Sequence, residues 1–438
     1  MLAEGLVDLI AELMKGEAER SAADVDAAIG ALCALVGVSR AAKLALLRCG
    51  FFPRLLSRIA DLQGLYGLSR RAAAPARRRD ACALPGPAPP GGGGEDPGGG
   101  ASLDGGSPSA DGGAGGVPDR CGALQRSLLC CVRLLSNALC GCEEAKLAAV
   151  SLQLPLLLQQ LWAISRGAPA LRRALMQLLC NYVAHCAPAK CSLIAYSDAR
   201  GRCLIALLVR AALAEARPPA APMALPLWQL HWRCLQSLAT AAESRTVLLR
   251  SGCIGAAPSL AHRLLLGAKE RDEPRAAAVL DFLANLAFDA DGCTALLRCD
   301  GAFDALVEGL ESRQPSARYA AALALRNVAF SSEGKTALLN RPRAMPALLG
   351  GLGPSDLRLS ALSSAALWAL LARSEKAKVA FRRGGLPAHR FAVAEKELAH
   401  LAMREPECAS DPAALRAALR HFDAIARLLG ADPGQLRA

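Results

Sequence analysis

The sequence predicts an all-α fold, a solenoid of stacked helical repeats carrying one disordered Gly/Pro-rich insert. Three observations predict it. One phrase recurs: residues 325–349 read LRNVAFSSEGKTALLNRPRAMPALL, residues 283–307 read LANLAFDADGCTALLRCDGAFDALV, and residues 32–56 read LCALVGVSRAAKLALLRCGFFPRLL. Each is an apolar helix end, a polar turn, a short apolar helix, a basic or Gly/Pro break, and a third apolar helix. The spacing is regular, with 44 residues from Asn137 to Asn181 and 42 from Asn285 to Asn327. The composition agrees, because Ala and Leu dominate and aromatic residues are only 4%. Small unbranched residues favour helix, and scarce β-branched and aromatic residues argue against a large sheet.

A period in the forties with two or three helices per unit is the signature of HEAT or armadillo repeats. One such unit cannot bury its apolar face alone, so units stack. The expected class is therefore an armadillo/HEAT-like α-solenoid. Residues 1–68 hold N-terminal helices and one repeat. Leu2, Leu6, Leu9, Ile10 and Leu13 share one face of the first helix, with acidic residues opposite. A chain that opens directly on a repeat is expected to continue an upstream part. Residues 69–119 change character. PGPAPPGGGGEDPGGGASLDGGSPSADGGAGGVP offers almost nothing to bury and cannot offset its own ordering entropy, so it is expected to be disordered. Arg70, Arg71, Arg77, Arg78 and Arg79 flank it upstream and read as a solvated linker edge. Residues 120–386 are expected to be nearly unbroken repeats, with the Pro-rich stretch 215–226 separating two copies. Residues 387–438 read as two capping helices, in which Arg416, Arg420 and Arg427 alternate with Leu415, Leu419, Phe422, Ile425 and Leu428. Terminal repeats need such a polar outer face.

The net charge is +12, from 51 Lys+Arg against 39 Asp+Glu. This excess permits acidic partners, but no aromatics are interleaved with the basic runs, so nucleic acid is not an expected partner. Many of the 17 Cys, such as Cys33, Cys130, Cys180 and Cys234, sit at apolar helical positions, where reduced Cys behaves as a small hydrophobe. The odd count and the absence of any Asn-x-Ser/Thr sequon argue against a secreted disulfide scaffold. Apolar stretches such as LIALLV at 204–209 are too short to span a bilayer, so membrane insertion is not expected.

Gly334, Lys335 and Thr336 copy the end of a phosphate-binding loop. The earlier Gly of that motif is replaced by Ala329, and the preceding segment has a helical pattern where a strand is required. Lys43, Lys146 and Lys378 recur at the same place in other copies, which makes this lysine part of the repeat. Cys140, Cys142, His185, Cys186 and Cys191 cluster in sequence, but no Cys-x-x-Cys pair exists, and thiols without metal are the expected reading. The six His are scattered, and no nucleophile elbow or His-Glu-x-x-His helix is present. No catalytic residue, cofactor or metal is expected, and the chain reads as a non-enzyme.

The recurrent Asn are the candidate partner-groove residues. In armadillo repeats of the importin-α type, an Asn on the third helix clamps a peptide backbone, and a Trp one turn earlier makes a pocket. Asn137, Asn181, Asn285 and Asn327 match the Asn. The positions four residues earlier are Arg133, Gln177, Asp281 and Leu323, so the Trp is missing. Trp368 lies in an armadillo-like ALWAL, but Ala372 stands where its Asn would be. An Asn near a helix end bonds to turn carbonyls or amides in the alternative reading. That structural role is expected for most copies, with groove binding as the second possibility.

The stretches ALRNVAFSSEGKTALL (324–339), SAALWALLARSEKAKVAFR (364–382) and HFDAIARLL (421–429) resemble the rotatin family of very long armadillo-like proteins of centrosomes and ciliary basal bodies. SNALCGCEEAKLAAVSLQLPLLLQQLW (136–162) is similar to preceding repeats of that family. The resemblance covers residues 120–438 well and 1–68 loosely, and the insert departs from it. It implies that the chain is the C-terminal end of a larger protein. It also implies a scaffold in cytoplasm and cytoskeleton, at centrosome, centriole and basal body, serving centriole assembly, cilium formation and left–right patterning. The implied partners are centriolar and centrosomal proteins, engaged through helical or acidic segments. The alternative is an armadillo-type adaptor binding extended peptides in cytosol or nucleus.

Overall fold

The computed structural model describes residues 2–13, 21–81, 120–198, 200–214, 225–267, 272–383, 386–404 and 411–430. The described residues form helices and turns. The one trace of sheet among them is an isolated antiparallel bridge between Ser197 and Cys203. The fold is an all-α, armadillo-like solenoid, as the repeat period predicts.

Two helices open the chain, α1 (Leu2–Leu13) and α2 (Ala22–Val38). Triplets follow, each a short helix, a second helix and a third, usually longer one. They are α3 (Arg40–Arg48), α4 (Phe51–Ala81) and α5 (Arg120–Leu139); then α6 (Glu143–Ser151), α7 (Leu154–Ile164) and α8 (Pro169–Val183); then α9 (Ala187–Ser192), α10 (Leu204–Ala214) and α11 (Leu225–Leu238). They continue with α12 (Ala242–Arg250), α13 (Cys253–Leu266) and α14 (Glu273–Leu286), and with α15 (Ala290–Leu297), α16 (Ala302–Glu311) and α17 (Pro315–Val328). The last are α18 (Ser332–Leu339), α19 (Ala344–Gly350) and α20 (Leu357–Leu371), and α21 (Glu375–Arg383), α22 (Leu386–Arg404) and α23 (Pro412–Leu429).

The polar turn of the recurring phrase is the N-cap of the short helix. Ser39 accepts from the Ala42 amide, Asp289 from Asp291, Ser331 from Gly334 and Ser374 from Ala377. Each side-chain oxygen satisfies one of the amides that a helix start leaves without a partner. Three other copies carry Cys142, Cys186 and Ala241 at this position, without a side-chain cap bond.

The chain divides into two compact units, Met1–Ala138 with Gln160–Arg172, and Leu139–Gln159 with Arg173–Ala438. In the first, α1 packs on α2 and α3, and α3 on α4. Asp26 of α2 accepts from the Ser127 hydroxyl of α5 at 2.5 Å, and Tyr66 of α4 donates to Gln125 at 3.1 Å. The second unit stacks like on like. Short helices run α6–α9–α12–α15–α18, second helices α10–α13–α16–α19–α22, and third helices α11–α14–α17–α20–α23. Aromatics fill the seams between layers. Trp232 meets Phe282 edge-on at 5.4 Å, and Phe391 stacks on Phe422 at 4.4 Å. Leu325, in the phrase ALALRNVAF, is fully buried.

Three organisational expectations meet the structure differently. Helix α4 runs to Ala81, so the upstream edge of the expected disordered insert, 69–81, is helical. The rest of that insert, 82–119, lies outside the described residues. The Pro-rich stretch near 215–226 falls inside a triplet, between α10 and α11, and so does 82–119, between α4 and α5. The two Pro-rich connections thus join second to third helices. Finally, α22 and α23 complete a triplet with α21. They follow the same rule, with α22 on α19 and α23 on α20. On α23, Arg416, Arg420 and Arg427 are exposed while Leu415, Phe422 and Ile425 are buried, as their alternation predicts.

Candidate partner-binding face

The third helices end in carbonyls that their own helix cannot satisfy. Side chains from neighbouring triplets supply the donors. Asn327 of α17 donates its amide to the Ala284 carbonyl of α14 at 2.9 Å, and Asn285 of α14 donates to the Gln236 carbonyl of α11 at 3.3 Å. Asn137 of α5 does the same to the Cys33 carbonyl of α2 at 3.1 Å, and Ser237 reaches Val183 at 3.3 Å. The bonds to Ala284, Gln236 and Val183 are helix C-caps given in trans by the following triplet, whereas Cys33 lies inside the end of α2. Asn327 is only 7% exposed, and its oxygen accepts two bonds from the Arg326 guanidinium at 3.0 and 3.2 Å. Asn181 differs. It is half-buried and accepts from Gln177 on its own helix at 3.1 Å.

A second ladder runs in the opposite direction. The fourth residue of each short helix is Lys43, Lys146, Lys190, Arg245, Cys293, Lys335 and Lys378 in turn. Lys146 donates to the Ala184 carbonyl just beyond α8, and Lys335 to the Ala372 carbonyl at the end of α20. Lys190 reaches Thr240 beyond α11 at 2.5 Å, and Arg245 pairs with Asp289 at 2.9 Å. A cation at a helix C-terminus also meets the negative end of its dipole. Burial pushes the pKa of Lys146, Lys190 and Lys335 down.

This ladder accounts for the phosphate-loop lookalike. A Cβ on Gly334 would lie 2.0 Å from the Val328 carbonyl oxygen, so glycine is required by close approach of α18 to the end of α17. Lys335 anchors α20, and the Thr336 hydroxyl bonds the Ser332 carbonyl. Among the described residues, no group of three His, Cys, Asp or Glu side chains could hold a metal ion. The described Cys are free, with Cys180 and Cys234 buried and Cys33 and Cys130 half-buried.

The remaining candidate, Trp368, lies half-buried on α20. Phe330 meets it edge-on at 6.3 Å, and His421 of α23 stacks on its other side at 6.4 Å. The Ser364 hydroxyl lies 3.3 Å from His421 Nδ1. Phe330 is 60% exposed, and Phe288, at the same turn one triplet earlier, is 78% exposed. Sequence reasoning passed over both. Their signal was the pair Ala-Phe repeated immediately before two N-caps. Further along the face, Arg358 lies over the Tyr319 ring at 4.7 Å, and burial raises the Asp281 carboxyl of α14 to a pKa of about 6. The third-helix face of the second unit therefore presents exposed and half-buried aromatics with several cations. It can hold a protein segment by apolar contact and charge.

No protein-family model matches the chain. The chain is similar to mouse rotatin, with 26% identity over 260 residues, covering 57% of this chain and 11% of that protein. The chain thus spans a small part of the relative's length. Among solved structures, an engineered protein superposes with a TM-score of 0.58, covering 99% of this chain and 96% of its own, at 14% identity. That likeness shows the fold. A designed armadillo repeat protein in complex with the peptide (KR)4 has a TM-score of 0.46, covering 58% of this chain and 95% of its own, at 19% identity.

Proposed function

We propose that the chain is a non-enzymatic, protein-binding scaffold of the centrosome and ciliary basal body. In this reading it acts in centriole assembly, basal-body organisation and cilium formation. The observation that carries it is the similarity to mouse rotatin over 260 residues. The stacked triplets support it, because a solenoid exposes one long continuous surface suited to holding partners. The apolar and cationic third-helix face supplies a chemistry for protein contact. The peptide-adaptor alternative depends on asparagine side chains free to clamp a peptide backbone. Three of the four amides are engaged by neighbouring helices instead, which favours the scaffold. The test is loss of the protein from ciliated cells, scored by centriole number and the fraction of cells bearing a cilium. The scaffold reading expects fewer or misassembled centrioles and fewer cilia. Normal counts of both would overturn it.

A further inference from the structure

We propose that the third-helix face of the last three triplets docks an acidic protein segment carrying an apolar anchor residue. The anchor meets Phe330 and Trp368, and carboxylates meet Arg326, Arg373 and Arg420. This deepens the scaffold reading and rests on it.

The geometry gives the apolar half. Phe330, Trp368 and His421 form one aromatic run from the turn after α17, over the last turn of α20, to the middle of α23, with centroid separations of 6.3 and 6.4 Å. Only the outer ring, Phe330, is widely exposed. Binding energy concentrates on such aromatic and arginine groups when water is excluded around them.

Charge gives the other half. Some arginines elsewhere in this unit are paired with carboxylates within the chain. Arg202 pairs with Asp198, Arg318 with Asp356, Arg341 with Asp304 and Arg343 with Glu311. Among the described residues, Arg326, Arg373 and Arg420 form no ion pair. Arg326 is the most telling. It is half-buried, its hydrogen bonds go to the neutral Asn327 oxygen, and burial lowers its pKa. A desolvated cation without a counter-ion is costly, and a partner carboxylate relieves that cost. Arg326 and Arg420 gather at the His421 end of the aromatic run, and Arg373 follows the end of α20, five residues after Trp368. Burial, then Arg420 and Arg326, press the His421 pKa down, and Arg373 does the same to Lys335 after burial.

Single-stranded nucleic acid also combines negative charge with stacking. It needs successive open ring faces along a groove. Here Trp368 is already covered by His421 and Phe330, so the run offers one open ring rather than a stacking track.

The test uses the full chain and a fluorescent peptide with Glu and Asp on both sides of one Phe. Controls are the same peptide with Ala for Phe, the same peptide with Gln and Asn for its acids, and labelled oligo(dT). Saturable peptide binding is expected. The double variant Arg373→Glu, Arg420→Glu should weaken it about tenfold or more, the equivalent of ~1.4 kcal/mol. Phe330→Ala should weaken it several-fold and erase the preference for the Phe-bearing peptide. Both sites are exposed, and circular dichroism of each variant checks that the helices persist. No saturable binding, equal affinity for oligo(dT), or binding indifferent to these variants would overturn the site. The outcomes separate the two readings. A chain that ignores the peptide while its loss still disrupts centrioles sinks this site alone. A chain that binds the peptide while its loss leaves centrioles and cilia normal sinks the scaffold reading alone.

Discussion

Replacing Asn327 with Ala isolates the cap that one triplet gives another. The Asn327 amide is buried and sits 2.9 Å from the Ala284 carbonyl. That carbonyl lies in the last turn of α14, beyond reach of the helix's own donors. The substitution leaves it buried without a partner and also removes the acceptor of the Arg326 guanidinium. Leaving one buried polar group unsatisfied costs about 1–3 kcal/mol. Little apolar area is lost, so the polar effect dominates. Stacked repeats open locally, and a single midpoint for the whole array mixes many such openings. Hydrogen exchange read by mass spectrometry is therefore the assay. Peptides covering 284–290 and 327–331 should lose protection by roughly 10–100-fold, following the same energy. Asn340→Ala, at an exposed helix end, is the control and should change nothing nearby. Protection unchanged to within about twofold, below ~0.5 kcal/mol, would refute the trans-cap reasoning.

Other perturbations test the packing. Gly334→Ala forces a Cβ to within 2.0 Å of the Val328 carbonyl oxygen, and overpacking of this kind costs about 1–3 kcal/mol. Gly255→Ala on α13 meets nothing within 4 Å and should be neutral or slightly stabilising, so thermal melts that rank the two alike would be contrary. Leu325→Asp places a carboxylate at a fully buried position and should destabilise by several kcal/mol, on the order of the stability margin of a whole domain. Unchanged thermal unfolding would contradict the face assigned to α17. Asp281 has a folded pKa raised to about 6, so the native state binds the extra proton and stability falls as pH rises from its unfolded value towards 6. Asp281→Asn should therefore raise the melting temperature at pH 7.5 and lose most of that gain by pH 4, and an equal gain at both pH values would contradict the sign.

The stacking rule was legible because its signals are local. Ser39, Asp289, Ser331 and Ser374 announce four of the short helices as N-caps, and the apolar phrase around Leu325 fixes which face is buried. The recurrence of Lys43, Lys146, Lys335 and Lys378 identified a repeat position, although the acceptors of Lys146 and Lys335 are backbone carbonyls some 40 residues away that no local pattern reveals. The same holds for Asn285 and Asn327. The sequence marks them as recurrent, but only the packed helices show that their amides face a neighbouring backbone. The Phe330–Trp368–His421 run was not legible. Its members sit on α20, on α23 and in the turn after α17, with unrelated local patterns.

The most direct test of the central claim is the location of the tagged full chain in ciliated cells, scored against a centriole marker. The account predicts a focus coincident with centrioles and basal bodies, dimmed but not abolished by Arg373→Glu, Arg420→Glu, because apolar contacts such as those of Phe330 remain. A diffuse cytosolic or nuclear signal with no enrichment at the marker would contradict it.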